Sequence, residues 1–324
     1  MIRVVATGGT IASLADPDTG AVRPAVSADD LVQGVPGLGP VQVDEVARVN
    51  GWNVTPATML DVAARVAAAL EDSIPGVVVT HGTDTVEETA FLCDLTMASD
   101  KPVVFAAAMR SGGEIAADGP RNLLCAAEVA RAGLAVGAVL VLNDEIHAAR
   151  FVRKQDSFRV SAMVSPGHGP VGTVVPGSVR VPALPSRRFV VDLPAALDRP
   201  VPVVQTYTGM EEGLIESVLE VSGAAGLVLE GTGLGNVPGS AEPGIRAALA
   251  RGLPVVVATR VPTGGTGAVY GGPGGGVTLR DAGVIAAGGL SAAKARLLLM
   301  LLLAAGERDV RGRFEAAVDA LSAW

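Results

Sequence analysis

Strand-like and helical segments alternate along nearly the whole chain, and this alternation restricts the fold more than any other feature. Runs of β-branched residues that alternate with helical patterns are typical of βαβ units and a parallel sheet. In the first half, the predicted strands are residues 2–6, 41–49, 76–80, 102–106 and 138–142, and the predicted helices are residues 57–70, 87–98 and 121–131. In the second half, the predicted strands are residues 201–206, 225–230 and 254–259, and the predicted helices are residues 211–219, 242–251, 291–304 and 313–320.

One stretch interrupts the alternation, because residues 182–200 mix prolines with Arg187 and Arg188 and show no clear period. We therefore predict an N-terminal catalytic domain of residues 1–185, a linker of residues 186–200 and a C-terminal domain of residues 201–324. The expected fold class is α/β, with a larger N-terminal doubly wound, mainly parallel sheet domain and a smaller C-terminal α/β domain.

Charge and hydropathy exclude several kinds of protein. The 33 acidic residues outnumber the 25 basic ones, and the net charge of −8 argues against nucleic-acid or anionic-membrane partners. The most apolar stretch, residues 297–306, is far shorter than the ~20 residues of a membrane-spanning helix, and it predicts a buried or subunit-facing helix. No signal peptide is expected ahead of the first strand, so the predicted location is cytoplasmic.

No metal or cofactor is expected either. Cys93 and Cys125 fall in apolar helical stretches and are predicted to be buried thiols, and the three histidines are widely spread, so no metal-ligand spacing is present. The segments TGGTIA (residues 7–12) and GTGLGN (residues 231–236) both lack the three spaced glycines of a dinucleotide-binding loop.

Two predicted strands end in segments of glycine and hydroxyl-bearing residues. The strand of residues 2–6 leads into TGGTIA, and the strand of residues 76–80 leads into HGTDT (residues 81–85). Ligands of parallel sheets bind outside the carboxyl ends of the strands, and glycine lets backbone N–H groups approach a ligand closely. We therefore expect the functional site at these two segments.

Their residues suit nucleophilic catalysis. Thr10 and Thr83 each supply a hydroxyl, which becomes a nucleophile when a neighbouring group takes its proton, and the glycines expose N–H donors for an oxyanion. Asp84 and Lys154 are the candidate proton acceptors, since a lysine shielded from water beside a carboxylate has a tunable proton affinity.

Two neighbouring residues are predicted to be structural. His81 is more typical of a structural hydrogen-bonding residue than of a general base. Thr85 is predicted to be the N-cap of the helix that carries Glu87 and Glu88.

Five segments in order resemble the bacterial-type L-asparaginase family of threonine amidohydrolases, through nearly the whole chain. They are TGGTIA (7–12), VTHGTDTVEETA (79–90), AAMR (107–110) with DGP (118–120) and Asn122, RVPTG (260–264), and KAR (294–296). The resemblance implies hydrolysis of L-asparagine to L-aspartate and ammonia without a cofactor, in a homodimer or homotetramer with sites formed between subunits.

The resemblance also implies roles for individual residues. Thr10 falls on the nucleophile that forms a β-aspartyl enzyme, and Thr83, Asp84 and Lys154 fall on a second triad that assists proton transfer. Asp84 also falls on the residue that binds the substrate α-ammonium group.

Two further positions match the parts of the family's site that hold the amide. Backbone N–H groups at the threonines, with Gly82 beside them, fall on the oxyanion site. The Ala108 carbonyl falls on the acceptor of the amide nitrogen.

The chain departs from the family at several positions. Gly51 or Trp52 stands where a serine usually binds the substrate carboxylate, and Leu234 stands where the neighbouring subunit's asparagine is expected, although Asn236 is close. The loop of residues 264–276 lacks the family's glutamate. Residues 15–26 lack the family's lid tyrosine, and we propose Tyr270 as its substitute.

Other functions remain open at this point. A glutaminase-asparaginase of broader specificity is the nearest one, because glutamine adds only one methylene to the substrate. The amidase subunit of a tRNA-dependent amidotransferase is another, although that form normally carries an additional N-terminal domain. A non-catalytic amino-acid sensor on the same scaffold would explain the departures, but it would not require both threonines and the lysine.

Overall fold

The computed structural model describes residues 1–185 and 189–322, and the chain divides into two compact units. Unit 1 comprises residues 1–186 and unit 2 comprises residues 187–324. The predicted linker begins with residues 186–188, which lie outside the described residues, and residues 189–200 contain no helix or strand. The Arg313 guanidinium lies 4.4 Å above the Phe189 ring, so the described part of this stretch packs within unit 2.

Unit 1 contains twelve strands and four α-helices among the described residues. The strands are β1 (Ile2–Gly8), β2 (Ser13–Ala15), β3 (Val22–Pro24), β4 (Val41–Val49), β5 (Val77–Thr80), β6 (Val103–Ala106), β7 (Ala138–Leu142), β8 (Glu145–Ala148), β9 (Arg153–Lys154), β10 (Met163–Val164), β11 (Gly172–Val175) and β12 (Ser178–Arg180). The helices are α1 (Ala28–Gln33), α2 (Pro56–Glu71), α3 (Val86–Thr96) and α4 (Gly119–Ala132).

The main sheet of unit 1 has eight strands in the order β12-β11-β8-β7-β6-β5-β1-β4. Strands β4, β1, β5, β6 and β7 are parallel, while β8, β11 and β12 extend the sheet antiparallel beyond β7. The chain adds β4 on one side of β1 and then β5 to β7 on the other, so the strand order reverses between β1 and β5. Doubly wound sheets bind ligands at such a reversal, which here lies between TGGTIA and HGTDT.

Local signals in the sequence account for the helix boundaries. Helix α2 begins after Thr55, whose hydroxyl accepts the backbone N–H of Thr58 at 3.2 Å, and Pro56 occupies its first turn. Helix α4 ends at Gly133, which has a left-handed φ of 62°. Strands β5, β6 and β7 are buried along their whole length, as expected for parallel strands covered on both faces.

Unit 2 contains four strands and five α-helices among its described residues. They are β13 (Val203–Gln205), α5 (Leu214–Ser222), β14 (Leu227–Gly231), α6 (Glu242–Ala250), β15 (Val255–Thr259), α7 (Gly276–Ala282), β16 (Ile285–Ala286), α8 (Ala292–Ala304) and α9 (Val310–Leu321). The four strands form a parallel sheet in the order β13-β14-β15-β16.

Two predictions for unit 2 need comment. Helix α5 was predicted to begin at Glu211, but it begins at Leu214 because Gly213 has a left-handed φ of 85° that interrupts the helix. Of the apolar stretch 297–306, residues 297–302 are buried within α8, as predicted, whereas residues 305 and 306 are exposed and follow the end of the helix. Among the described residues, no helix is long and apolar enough to cross a membrane.

Candidate active site

Three glycines bring the ends of β1, β4 and β5 into direct contact. A Cβ atom on Gly9 would lie 2.4 Å from the Gly82 Cα, and one on Gly82 would lie 2.8 Å from the Gly51 Cα. Gly9 also has a φ of 76°, which L residues rarely adopt. The loops that carry Thr10 and Thr83 therefore touch through backbone atoms, with the Gly51 loop against them.

Lys154 joins the second of these loops from a distant part of the chain. Its Nζ donates to Thr83 Oγ1 at 2.9 Å and to Asp84 Oδ1 at 2.7 Å, although about seventy residues separate the lysine from both partners. Thr83 is buried, whereas the Asp84 side chain is 40% exposed, so the carboxylate faces solvent at one side of the cluster. The structure thus brings the three residues of the predicted second triad together.

Thr10 lies on the adjoining loop. It begins a short 3₁₀ turn, Thr10–Ala12, which is held because the Ser13 hydroxyl donates to the Gly9 carbonyl at 2.8 Å. The Gly9 N–H donates to the Val49 carbonyl at 2.9 Å and so ties the loop to β4. Across residues 1–185 and 189–322, no side-chain hydrogen bond involves the Thr10 hydroxyl.

The segment after β6 closes another side of this region. The Asp118 carboxylate accepts the backbone N–H groups of Met109 and Arg110, and Asn122 donates to the Ala107 carbonyl at 2.9 Å. A Cβ atom on Gly119 would lie 3.0 Å from Ile11 Cγ1 and 3.4 Å from the Ala108 Cβ. Ala108 is therefore held near the TGGTIA segment.

His81 has a structural role. Its buried Nδ1–H donates to the Gly82 carbonyl at 2.9 Å, and its Nε2 therefore accepts the Thr89 hydroxyl at 2.9 Å. Burial lowers the pKa of His81 from 6.5 to about 4, so the ring is neutral near neutral pH and fixes the Gly82 peptide.

Thr85 occupies the N-cap position of α3, as predicted, but its side chain makes no capping hydrogen bond. Its hydroxyl instead donates to the Gly51 carbonyl at 2.7 Å. The partner is 34 residues away, so a pattern of local residues could not reveal it.

Gly51 and Trp52 occupy the loop after β4. Gly51 is buried against Gly82, and a Cβ atom there would lie 3.3 Å from Gly82 backbone atoms, so a serine would require a small adjustment. The Trp52 side chain is 66% exposed. Gly51 therefore supplies only backbone groups to the site.

The remaining predicted residues lie in unit 2. Tyr270 is 58% exposed, and its carbonyl accepts the Val277 N–H at 2.9 Å. Asn236 uses its carboxamide oxygen to accept the Gly276 N–H at 3.0 Å, so that oxygen holds the glycine-rich loop. Leu234 lines a cavity of about 210 Å³ within unit 2.

Glu87 is a second residue near the site whose contact the sequence did not reveal. Glu87 Oε2 accepts the backbone N–H of Lys154 at 2.7 Å. The lysine is 67 residues away, so the local sequence around Glu87 indicates only an acidic residue in the first turn of a helix.

Metal ligands and reactive thiols are not found in the described part of the chain. No group of three or more histidine, cysteine, aspartate or glutamate side chains within it could hold a metal ion. Cys93 and Cys125 are buried, and burial raises the pKa of each thiol to about 12, which keeps both protonated.

Comparison with known protein families identifies the chain. A model of the N-terminal domain of asparaginase matches residues 1–187, and a model of the glutaminase/asparaginase C-terminal domain matches residues 200–312. The chain belongs to the bacterial-type asparaginase family. The predicted family and the amidohydrolase class are thereby confirmed.

Individual members of the family are similar along almost the whole chain. A probable L-asparaginase of Deinococcus radiodurans is 39% identical over 328 residues, which cover 98% of each chain. The crystal structure of a probable cytoplasmic L-asparaginase from Campylobacter jejuni has a TM-score of 0.87 at 32% identity, covering 97% of this chain and 98% of that one. The predicted α/β fold with a larger N-terminal and a smaller C-terminal domain is confirmed.

Relatives of other specificity match as well. A glutaminase-asparaginase of Pseudomonas fluorescens is 32% identical, covering 81% of this chain and 76% of the relative. One component of the glutamyl-tRNA(Gln) amidotransferase of Methanothermobacter thermautotrophicus is 31% identical, covering 81% of this chain and 63% of the relative.

Proposed function

We propose that the protein hydrolyses the side-chain amide of L-asparagine to L-aspartate and ammonia through a threonine-bound acyl-enzyme. The observation that carries the proposal is that the Lys154 ammonium group binds both Thr83 and Asp84. The loop that carries Thr83 and Asp84 is in backbone contact with the loop that carries Thr10. The names of the similar L-asparaginases of Deinococcus and Campylobacter support the choice of substrate.

Thr10 is the proposed nucleophile. Its hydroxyl gives up its proton to the group of Thr83, Asp84 and Lys154 as Oγ1 attacks the side-chain carbonyl carbon, and the carbonyl oxygen becomes an oxyanion. This proton is then delivered to the amide nitrogen, and collapse of the intermediate breaks the C–N bond and releases ammonia, which leaves the β-aspartyl ester on Thr10. Backbone N–H groups beside Thr10 and Thr83, with Gly82 between the two loops, are the proposed oxyanion donors, and the Ala108 carbonyl is the proposed acceptor of the amide N–H. Water then hydrolyses the β-aspartyl ester and regenerates the threonine.

Thr83, Asp84 and Lys154 are the proposed proton-transfer group. Because Thr83 Oγ1 accepts from the lysine, its own O–H is turned toward another acceptor and can donate to substrate or water. Asp84 uses Oδ1 for Lys154, and Oδ2 is the proposed partner of the substrate α-ammonium group.

The substrate carboxylate is assigned to the loop after β4. With glycine at position 51, no serine hydroxyl is present, so the proposed donors are backbone N–H groups of Gly51 and Trp52. The Trp52 side chain is exposed beside them and is the proposed side wall of the amino-acid site.

Tyr270 is the proposed substitute for the family's lid tyrosine, acting across a subunit interface of a homodimer or homotetramer. Support comes from its exposure and from its place in the glycine-rich loop. Tyr270→Phe should lower turnover and alter the pH profile of turnover, and an unchanged profile would rule the assignment out.

The proposed location of the protein is cytoplasmic. The similar structure from Campylobacter, a probable cytoplasmic L-asparaginase, supports this proposal.

A glutaminase-asparaginase is the second candidate, and the Pseudomonas relative favours it. One methylene in a substrate changes discrimination by only about 1–3 kcal/mol, so both activities can reside in one site.

Ammonia release from L-asparagine and L-glutamine, by wild type and Thr10→Ala, tests the proposal. We expect turnover of asparagine that Thr10→Ala abolishes while L-aspartate still binds. Aspartate binding without turnover by wild type would identify a sensor, and faster turnover of glutamine would favour the second candidate. Equal turnover by Thr10→Ala and wild type would refute the nucleophile.

A further inference from the structure

The main chain at Lys154 belongs to a very short strand. Strand β9, Arg153–Lys154, has only two residues and pairs with the equally short β10, in which Met163 lies opposite Lys154. The Lys154 N–H itself points to the side chain of Glu87, which accepts it at 2.7 Å. A hydrogen bond from a backbone N–H to an ionised carboxylate is roughly twice as strong as one between neutral groups.

Glu87 links the lysine to the same element that carries its acceptors. Thr83 and Asp84 precede α3 directly, and Glu87 lies in the first turn of that helix. Most residues of α3 are buried, so the helix N-terminus has a defined place in unit 1. One rigid element therefore determines where the lysine backbone is held and where its ammonium group binds.

This anchor matters because the lysine side chain is flexible. Four rotatable bonds separate its Cα from the ammonium group, and a displaced backbone would let Nζ leave one of its two partners. We propose that Glu87 is a positioning residue for Lys154, which keeps Nζ shared between Thr83 and Asp84 during turnover. The inference rests on the proposed function, since it assigns Glu87 a part in the same site.

Glu88 provides a matched control. It is the other acidic residue in the first turn of α3 and is also half-buried, so its carboxylate lies near the same end of the helix dipole. Glu88 also makes an interaction of its own, so Glu88→Ala removes at least the dipole interaction that Glu87→Ala removes. Only the Glu87 carboxylate accepts the Lys154 N–H. Comparison of Glu87→Ala with Glu88→Ala therefore separates positioning of the lysine from stabilisation of the helix end.

Kinetics of the full-length protein test the inference, with Thr10→Ala and Lys154→Ala as references. For Glu87→Ala we expect kcat on L-asparagine to fall about 10-fold or more, because small displacements of catalytic groups cost up to about 100-fold, with KM changed less than about two-fold. Glu87→Gln keeps an acceptor oxygen at the same distance from the backbone, so its kcat should lie within about three-fold of wild type. Glu87→Asp shortens the side chain by one methylene, so its oxygen no longer reaches the Lys154 N–H and its kcat should stay as low as that of Glu87→Ala. Glu88→Ala should retain wild-type kcat within about two-fold.

A second readout does not depend on catalysis. The chain has three lysines, Lys101, Lys154 and Lys294, so protein labelled with ¹⁵N-lysine has three lysine backbone amide resonances. The Lys154 resonance is the one that is missing from the spectrum of Lys154→Arg. Glu87→Asp and Glu87→Ala should shift this resonance and accelerate its hydrogen exchange, and Glu88→Ala should leave both properties unchanged.

The outcomes distinguish failure of the inference from failure of the proposed function. Wild-type kcat in Glu87→Ala, together with loss of activity in Lys154→Ala, would overturn the positioning role alone. Equal losses in Glu87→Ala and Glu88→Ala would assign the effect to the helix end and overturn it as well. An inactive wild type would refute the proposed function, and an unchanged Lys154 resonance in Glu87→Asp would then overturn the inference independently.

Discussion

Replacement of Gly82 by alanine should disturb the site by steric contact alone. The new Cβ would lie 2.8 Å from the Gly51 Cα and N atoms and 3.3 Å from the Gly9 Cα, all of which are backbone atoms that cannot rotate away. Carbon atoms pack at about 3.5 Å or more, so the loops must separate by about 0.7 Å, the difference between 3.5 and 2.8 Å. Since displacements near 1 Å cost catalysis up to about 100-fold, we expect kcat/KM to fall about 10- to 100-fold.

Ammonia release measured over a range of L-asparagine concentrations checks this prediction. Overpacking of this kind should also lower the free energy of unfolding by about 1–3 kcal/mol, as measured by urea denaturation. Gly113→Ala is the control, because a Cβ atom on Gly113 meets nothing within 4 Å. If Gly82→Ala matched wild type in both measurements, the close contact of the three glycine loops would be refuted.

Three other perturbations have distinct expected results. Asp94 and Arg150 form an ion pair of 3.2 Å with side chains only 2% and 1% exposed, so Asp94→Ala leaves a buried guanidinium without this partner. The free energy of unfolding from urea denaturation should fall by about 3–5 kcal/mol, and a loss below about 1 kcal/mol would contradict this reasoning. The pKa of His81 is about 4 in the folded protein and 6.5 in the unfolded chain. Between these pH values the unfolded chain binds a proton at His81 that the folded protein does not bind, so the free energy of unfolding falls by about 3 kcal/mol as the pH falls from 6.5 to 4. His81→Gln should show a smaller loss of unfolding free energy over this range, whereas an identical pH dependence would be inconsistent with a buried neutral ring. Thr85→Val removes the hydrogen bond of 2.7 Å to the Gly51 carbonyl and should raise KM about 5-fold at unchanged kcat. Thr85→Ser keeps the hydroxyl and should stay close to wild type. A fall in kcat at unchanged KM would show that the Gly51 loop does not bind substrate.

Regular elements of the fold were predictable where a local pattern determines them. Strands β4 and β7 match the predicted residues 41–49 and 138–142. The continuous apolar run of β7 is typical of a buried parallel strand, whereas β4 lies at the edge of the sheet, contains no buried residue and is recognised by valines that recur among polar residues. The cap at Thr55 and the end of α4 at Gly133 follow from side-chain and φ preferences of single residues.

Short and antiparallel strands were not predicted. Strands β9 and β10 have two residues each, and β2, β3 and β12 have three, which is too short for an alternating pattern to be recognised. Strand β2 pairs with β3, β9 with β10 and β12 with β11, so each of these strands exists through hydrogen bonds to one partner strand. Which segments pair in this way depends on the tertiary context.

By itself, the sequence determined the family, the longer parallel strands and helices, and the residue types that suit nucleophilic chemistry, since motifs and periodicity are properties of neighbouring residues. Only the tertiary structure decided that Lys154 reaches Thr83 and Asp84, that Glu87 accepts the Lys154 N–H, and that the Thr85 hydroxyl binds the Gly51 carbonyl. These contacts join residues 34 to 71 positions apart. They depend on the packing of β1, β4 and β5 side by side, which local sequence patterns do not encode.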